Sequence, residues 1–207
     1  MADQDELSRG WVRALWPGEE ERLVAHLMRL SPDDRYGRFL GTADEETVRR
    51  HVERARGAGR WQVIGWFEGG VLRAAVEVVT VGGEAEAALT TEPGYRRRGV
   101  AGRLLARATR RAALAGAERL VLYTSSSNAA VVRLARNAGM HCRADGCEIK
   151  AEVALTRPDP VAVSRDAIEE RQGQLASASA QLFPLATQVW WAALSPAAPP
   201  AGGAEAP

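Results

Sequence analysis

The residues Glu86-Ala-Ala-Leu-Thr-Thr-Glu-Pro-Gly-Tyr-Arg-Arg-Arg-Gly-Val-Ala-Gly-Arg103 decide the fold of this 207-residue chain. Glu86 to Thr91 is small, apolar and β-branched, with no breaker inside it, which predicts a strand. Pro93-Gly94 is a turn dipeptide. From Val100 onward apolar residues recur at helical spacing: Ala101, Leu104, Leu105, Ala108, Ala112 and Ala115. Arg103, Arg107, Arg110 and Arg111 lie on the other side of that helix. A strand, a tight turn and a helix follow one another directly.

The start of the helix carries the chemical information. Helices usually open with Ser, Thr, Asp or Asn, whose side chain accepts from the free N–H groups of the first turn. Here the opening is Arg96-Arg97-Arg98-Gly99-Val100-Ala101-Gly102, with no such residue. Gly99 and Gly102 leave the backbone bare, and three arginines crowd the same turn. Unpaired donors, a helix dipole and positive charge make an anion site, and a phosphate or pyrophosphate is its natural occupant. Two phosphate loops are excluded. Gly94 and Gly99 have P-loop spacing, but Val100-Ala101 stand where Lys and Ser/Thr are required. A dinucleotide loop needs Gly-x-Gly-x-x-Gly, which Gly99-Val100-Ala101 does not supply.

Apolar residues make up 46% of the chain and charged residues 26%, at a net charge of +1. That suits one globular domain with an appendage. The near-neutral balance argues against nucleic-acid binding. Met1 to Ser8 is acidic and polar, unlike a secretory signal. No apolar run is long enough to span a membrane. Cys142 and Cys147 are expected as free thiols in a reducing cytoplasm.

Around the central stretch, Gly10 to Leu15 alternates as a first strand. A helix follows Pro17-Gly18, a second is capped by Ser31, and a third covers Thr42 to Arg56, closed by Gly57-Ala-Gly59. Trp61 to Glu68 and Val71 to Val81 flank Gly69-Gly70, a hairpin signal. Arg119 to Thr124 is a buried strand, Asn128 caps a helix to Ala138, and a last hairpin turns around Ala144-Asp145-Gly146. The order predicts a mostly antiparallel sheet with helices on both faces. The strands on either side of the central helix run parallel, because a crossover helix joins them.

The run Arg96-x-x-Gly99-x-Ala101 resembles the acyl-CoA-binding loop of the GNAT superfamily of N-acetyltransferases, whose pattern is Gln/Arg-x-x-Gly-x-Gly/Ala. The element order over residues 10 to 157 is similar to that α/β (α+β) fold, a mixed sheet of six to seven strands. Glu86, thirteen residues before Gly99, and the segment Leu30-Ser-Pro-Asp-Asp-Arg-Tyr-Gly-Arg-Phe39 look like the protein-lysine acetyltransferase subgroup. The resemblance implies acetyl-CoA as co-substrate, no metal, and an amine acceptor, either a small molecule or a protein lysine. It implies two parallel strands splayed to admit the cofactor. Backbone groups of Leu89, Thr90 and Thr91 would pair with the pantetheine arm. Arg96, Arg97, Arg98, Gly99, Val100, Ala101, Gly102 and Arg103 would form the cofactor loop, the amides from Arg98 onward holding the pyrophosphate. Asn128 would sit near the cofactor arm.

Acyl transfer to an amine needs a neutral amine, a donor for the oxyanion and a proton for the leaving thiolate. Glu86 is the candidate base. Glu84, Glu86, Ala88 and Thr90 share one strand face, and a partly desolvated Glu86 would have a raised pKa. The family often has Tyr in Asn-x-x-Ala-x-x-Leu-Tyr-x-x-x-Gly-Phe as the acid. Here Asn128 to Met140 places Ala135 at that position, and Ala cannot donate. Water, Tyr123 on the neighbouring strand, or departure as thiolate are the alternatives; so is a non-catalytic acyl-CoA-binding regulatory module. Trp11, Trp16, Tyr36, Phe39, Trp61 and Trp66 are expected in the core, with a substrate contact open to Tyr36 and Phe39. Residues 1–9 are expected to be flexible. Residues 158–194 form an extension, helical to about Ala180, with a Trp-rich stretch suited to a homodimer contact. Residues 195–207 are expected to be disordered.

Overall fold

A computed structural model describes residues 10–57 and 60–194, with 180–194 described as backbone only. The expectations for residues 1–9, for 195–207, and for the Ala58-Gly59 end of the third helix lie outside these residues. The sheet has seven strands: β1 (Gly10–Ala14), β2 (Trp61–Glu68), β3 (Val71–Val81), β4 (Glu84–Thr91), β5 (Arg119–Ser125), β6 (His141–Asp145) and β7 (Glu148–Ala154). Their spatial order is β1-β2-β3-β4-β5-β7-β6. Only the β4–β5 pair is parallel. Gly69 and Gly70 both take positive φ, 58° and 76°, which suits the tight hairpin between β2 and β3.

Helices α1 (Glu20–Met28), α2 (Pro32–Phe39) and α3 (Glu45–Gly57) precede β2. Leu23, Leu27 and Val48 from this group pack on Val63, Phe67 and Ala75 of the sheet. The other face carries α4 (Val100–Leu114) and α5 (Ala129–Asn137). There Leu104, Leu105, Ala108 and Ala135 pack on Ile64, Val76, Ala85 and Leu122. Period-two alternation on β4 therefore divides its residues: Ala85 and Ala87 face α4, and Glu86 and Thr90 face the α1–α3 side.

The extension is one unbroken helix, α6 (Pro160–Leu194). It does not stop near Ala180 as expected. It also corrects the exposed face of α4. Arg107 is 2% exposed, because α6 lies over it. Its guanidinium donates to the Val12 carbonyl at 3.0 Å and to Glu170 of α6 at 2.7 Å. The Glu170 carboxylate also accepts from the edge-strand amide of Ala14. Gly173 lets α6 approach closely: a Cβ there would stand 2.4 Å from the Val12 oxygen. Gly173→Val is therefore expected to lower the melting temperature by several degrees, since backbone rather than a flexible side chain would have to move.

The aromatic residues divide. Trp66 is in the core on the α4 side, and Trp11, Phe39 and Trp61 are partly buried against the cluster on the opposite face. Trp16 at 36%, in the loop after β1, and Tyr36 at 57% are exposed instead, Tyr36 lying on α2, which buries none of its residues.

Candidate active site

Strands β4 and β5 stay together for three pairs only: Glu84 with Arg119, Ala85 with Leu120, and Glu86 with Val121. Beyond Glu86 they part. β4 follows β3 up to Thr91, and β5 follows β7 up to Ser125. The edge from Ala87 to Thr91 therefore has no ladder partner on its β5 side. Such an edge can accept an extended chain that carries amides of its own.

The gap leads to the start of α4. Gly99 caps this helix in the left-handed conformation, φ 74°, and offers no side-chain acceptor. Among the described residues the amides of Val100, Ala101 and Gly102 have no hydrogen-bond partner. A left-handed residue followed by helical ones aims successive N–H groups at one point, which makes a cradle for an oxyanion. No atom lies within 4 Å of a Cβ built on Gly99, so the cradle opens outward. A diphosphate fits this donor set. Arg103 departs from expectation: its amide is taken by the Gly99 carbonyl at 3.1 Å, as the first regular bond of the helix.

The arginines are arranged rather than loose. Arg96 pairs with Asp34 at 2.6 Å and donates to the Thr91 carbonyl, tying α2 to the loop. Arg98 and Arg73 both lie over the Tyr95 ring, whose hydroxyl donates to Glu68 at 2.6 Å. Arg103 lies over Trp66. Arg97 is exposed and holds a left-handed φ of 62°, an uncommon conformation for a side-chain-bearing residue.

Glu86 stands at the last paired position, where the strands part. It is exposed, which corrects the expectation of a partly desolvated carboxylate: no helix of the α1–α3 group covers it. Glu84 beside it is engaged by Arg119 at 2.7 Å. Tyr123 is 42% exposed rather than core, on the same sheet face as Glu86. Asn128 accepts from the Val131 amide at 3.3 Å and so acts as an ordinary helix cap. Ala135 is fully buried among the residues under α4 and α5. The two cysteines are unbridged, with Cys142 opposite Ala151 rather than Cys147.

Two buried ionic clusters on the α1–α3 side were not foreseen. Glu77 accepts from Arg38 at 2.8 Å and lies 2.9 Å from His51 Nε2. Glu92 accepts from Arg29 and Arg73 and lies 3.1 Å from His26 Nδ1. His26 could have been noticed in the sequence, since it sits on the apolar stripe of Leu23, Val24 and Leu27. Burial pushes each carboxyl up, but hydrogen bonds from His51 and the charge of Arg38 outweigh this at Glu77, holding it at about 2. At Glu92 hydrogen bonds from His26, Arg29 and Arg73 do the same, again to about 2. A folded-state pKa below the ordinary 4.5 means stability that is complete above that pH and lost as pH falls toward 2. Glu77→Gln is thus expected to flatten the acid side of a stability–pH curve. Circular dichroism melts between pH 6 and 2 check this, the wild type losing stability across roughly that lower range.

The family model for the acetyltransferase (GNAT) family matches residues 24–140, more than half of the chain. The chain belongs to the GNAT acetyltransferase family, enzymes that use acetyl-CoA as co-substrate. Solved structures with the same fold include the GNAT domain of S. lividans PAT. It is 22% identical, with 70% of this chain and 89% of that one covered at a TM-score of 0.63. Spermidine N-acetyltransferase from Vibrio cholerae, in complex with CoA and spermine, is 13% identical at a TM-score of 0.58, with 72% and 98% covered. The PaiA N-acetyltransferase from Thermoplasma acidophilum, in complex with coenzyme A, is 17% identical at 0.56, with 70% and 99% covered. No curated protein sequence matches the chain. Among the described residues no helix is long and apolar enough to cross a membrane, and no cluster of side chains suits a metal ion.

Proposed function

We infer that the chain moves an acetyl group from acetyl-CoA to a primary amine by direct attack within a ternary complex. The observation that carries this is the parting of β4 and β5 directly beside the unpaired amides of Val100, Ala101 and Gly102. The diphosphate sits on those amides, and the pantetheine arm runs along Leu89, Thr90 and Thr91 as an added strand. The acetyl carbonyl then lies in the open fork between Thr90 and Glu86, which share one sheet face about 13 Å apart along the strand, so that Glu86 reaches the incoming amine through water. Glu86 takes a proton from the incoming ammonium, the neutral amine attacks, the C–N bond forms and the C–S bond breaks. Proximity of the two substrates supplies much of the rate. Exposed Glu86 and Tyr36 leave the acceptor side open, which suits a lysine on a protein surface as well as a free amine.

Thiol release across a panel of small amines and lysine peptides tests the assignment. In that assay Glu86→Gln is expected to lower kcat about 100-fold at neutral pH while acetyl-CoA affinity holds. Unchanged turnover removes Glu86 as base. Acetyl-CoA binding with no thiol release to any amine favours a regulatory acyl-CoA sensor. The apolar run of Leu182, Phe183, Trp190 and Trp191 is proposed as a contact between two copies of the chain. Deleting residues 181–207 should then halve the mass measured in solution.

A further inference from the structure

A hydroxyl, an imidazole and a carboxylate stand in series beside the open edge of β4. His26 Nδ1 lies 3.1 Å from Glu92 Oε1, and His26 Nε2 lies 2.9 Å from Thr90 Oγ1. His26 is wholly buried in α1. Thr90 is half-buried, on the strand segment that has lost its β5 partner and on the sheet face that Glu86 shares. Hydroxyl, imidazole and carboxylate in this order are the parts of a proton-transferring triad. The donors also run in a definite sense. Glu92 is ionised and only accepts, from His26 Nδ1, Arg29 and Arg73. In the neutral ring Nε2 then carries no hydrogen and accepts from the Thr90 hydroxyl, leaving the Thr90 oxygen able to accept in turn. No acid is available from Ala135, which lies buried on the opposite sheet face.

Resting on the acetyl-transfer reading above, we propose that Thr90 and His26 shuttle a proton from the acceptor nitrogen to the departing sulfur. Once the C–N bond has formed, the nitrogen of the tetrahedral adduct carries one proton in excess. It passes to Thr90 Oγ1 as the Thr90 proton passes to His26 Nε2. Glu92 stays ionised and balances the imidazolium. As the C–S bond breaks, His26 returns its proton to Thr90 and Thr90 gives one to the sulfur. The sum is one proton moved from nitrogen to sulfur, an amide and a free thiol, with each side chain back in its starting state. Glu86 keeps the separate task of taking the ammonium proton before attack.

Thr90→Val removes the hydroxyl at nearly constant shape. We expect kcat for thiol release to fall about 100-fold, with KM for both substrates and the calorimetric Kd for acetyl-CoA unchanged. Thr90→Ser should restore most of the turnover. NMR of nitrogen-labelled histidine in the wild type needs neither activity nor a variant: it should find the proton of neutral His26 on Nδ1, with Nε2 bare. A proton on Nε2 overturns the shuttle. So does wild-type kcat in Thr90→Val, or an acetyl group held covalently on Thr90 after quenching, which would make the hydroxyl a nucleophile. A wild-type chain that binds no acetyl-CoA overturns the transfer reading and the shuttle together, whereas normal turnover in Thr90→Val overturns the shuttle alone.

Discussion

Gly102→Asp is expected to abolish acetyl-CoA binding while leaving the protein folded. Gly102 is the third residue of α4, and its amide is one of the three without a partner. A carboxylate in the first turn of a helix is favourable by about 0.3–1 kcal/mol. It would accept from the bare amides itself and repel a diphosphate from the same spot. The side chain has room: a Cβ at Gly102 meets only Leu134 Cδ1, at 3.8 Å, an ordinary contact. Titration calorimetry should show Kd weakened about 100-fold or beyond reach, and thermal melts should show a midpoint equal to or above the wild type. An unchanged Kd would mean the anion is held elsewhere.

Arg107→Met is the substitution expected to cost the most stability. Arg107 donates to Glu170 at 2.7 Å and stands 3.5 Å from Asp166. Arg111 reaches both carboxylates, at 2.7 and 2.8 Å. Burial pulls the Arg107 pKa down, against the charges of Glu170 and Asp166 that raise it, so those carboxylates offset the cost of burying a guanidinium that stays charged. Removing it leaves two carboxylates sharing one arginine away from water. Breaking a buried pair in this way costs about 3–5 kcal/mol, or roughly 10 °C in melting temperature for a chain of this size. The neighbouring Arg110–Glu169 pair is more exposed, with side chains 26% and 36% accessible. Arg110→Ala should therefore cost under about 1 kcal/mol. Equal effects from the two variants would show that α6 is not docked through the buried pair.

Much of the fold was legible because it rests on local signals. Apolar residues at helical spacing from Val100 onward gave α4, and Gly69-Gly70 gave the β2–β3 hairpin. The missing cap at Gly99 pointed to the anion cradle, since an unpaired first turn is a property of sequence alone. What was not legible depends on distant contacts. Arg107 reads as a solvated residue until α6 folds over it from 63 residues away. Glu86 reads as half-covered until the α1–α3 group is seen to leave it open. The Thr90–His26–Glu92 series joins the end of β4, the residue just after it and α1, with the hydroxyl and the ring 64 positions apart, and no short motif announces it.

A crystal structure of the chain with coenzyme A tests the central claim most directly. The account predicts the diphosphate within hydrogen-bonding distance of the Val100, Ala101 and Gly102 amides, with the pantetheine arm laid along Leu89 to Thr91 in the fork between β4 and β5. A coenzyme bound anywhere else, with those three amides turned away from it, would contradict the account.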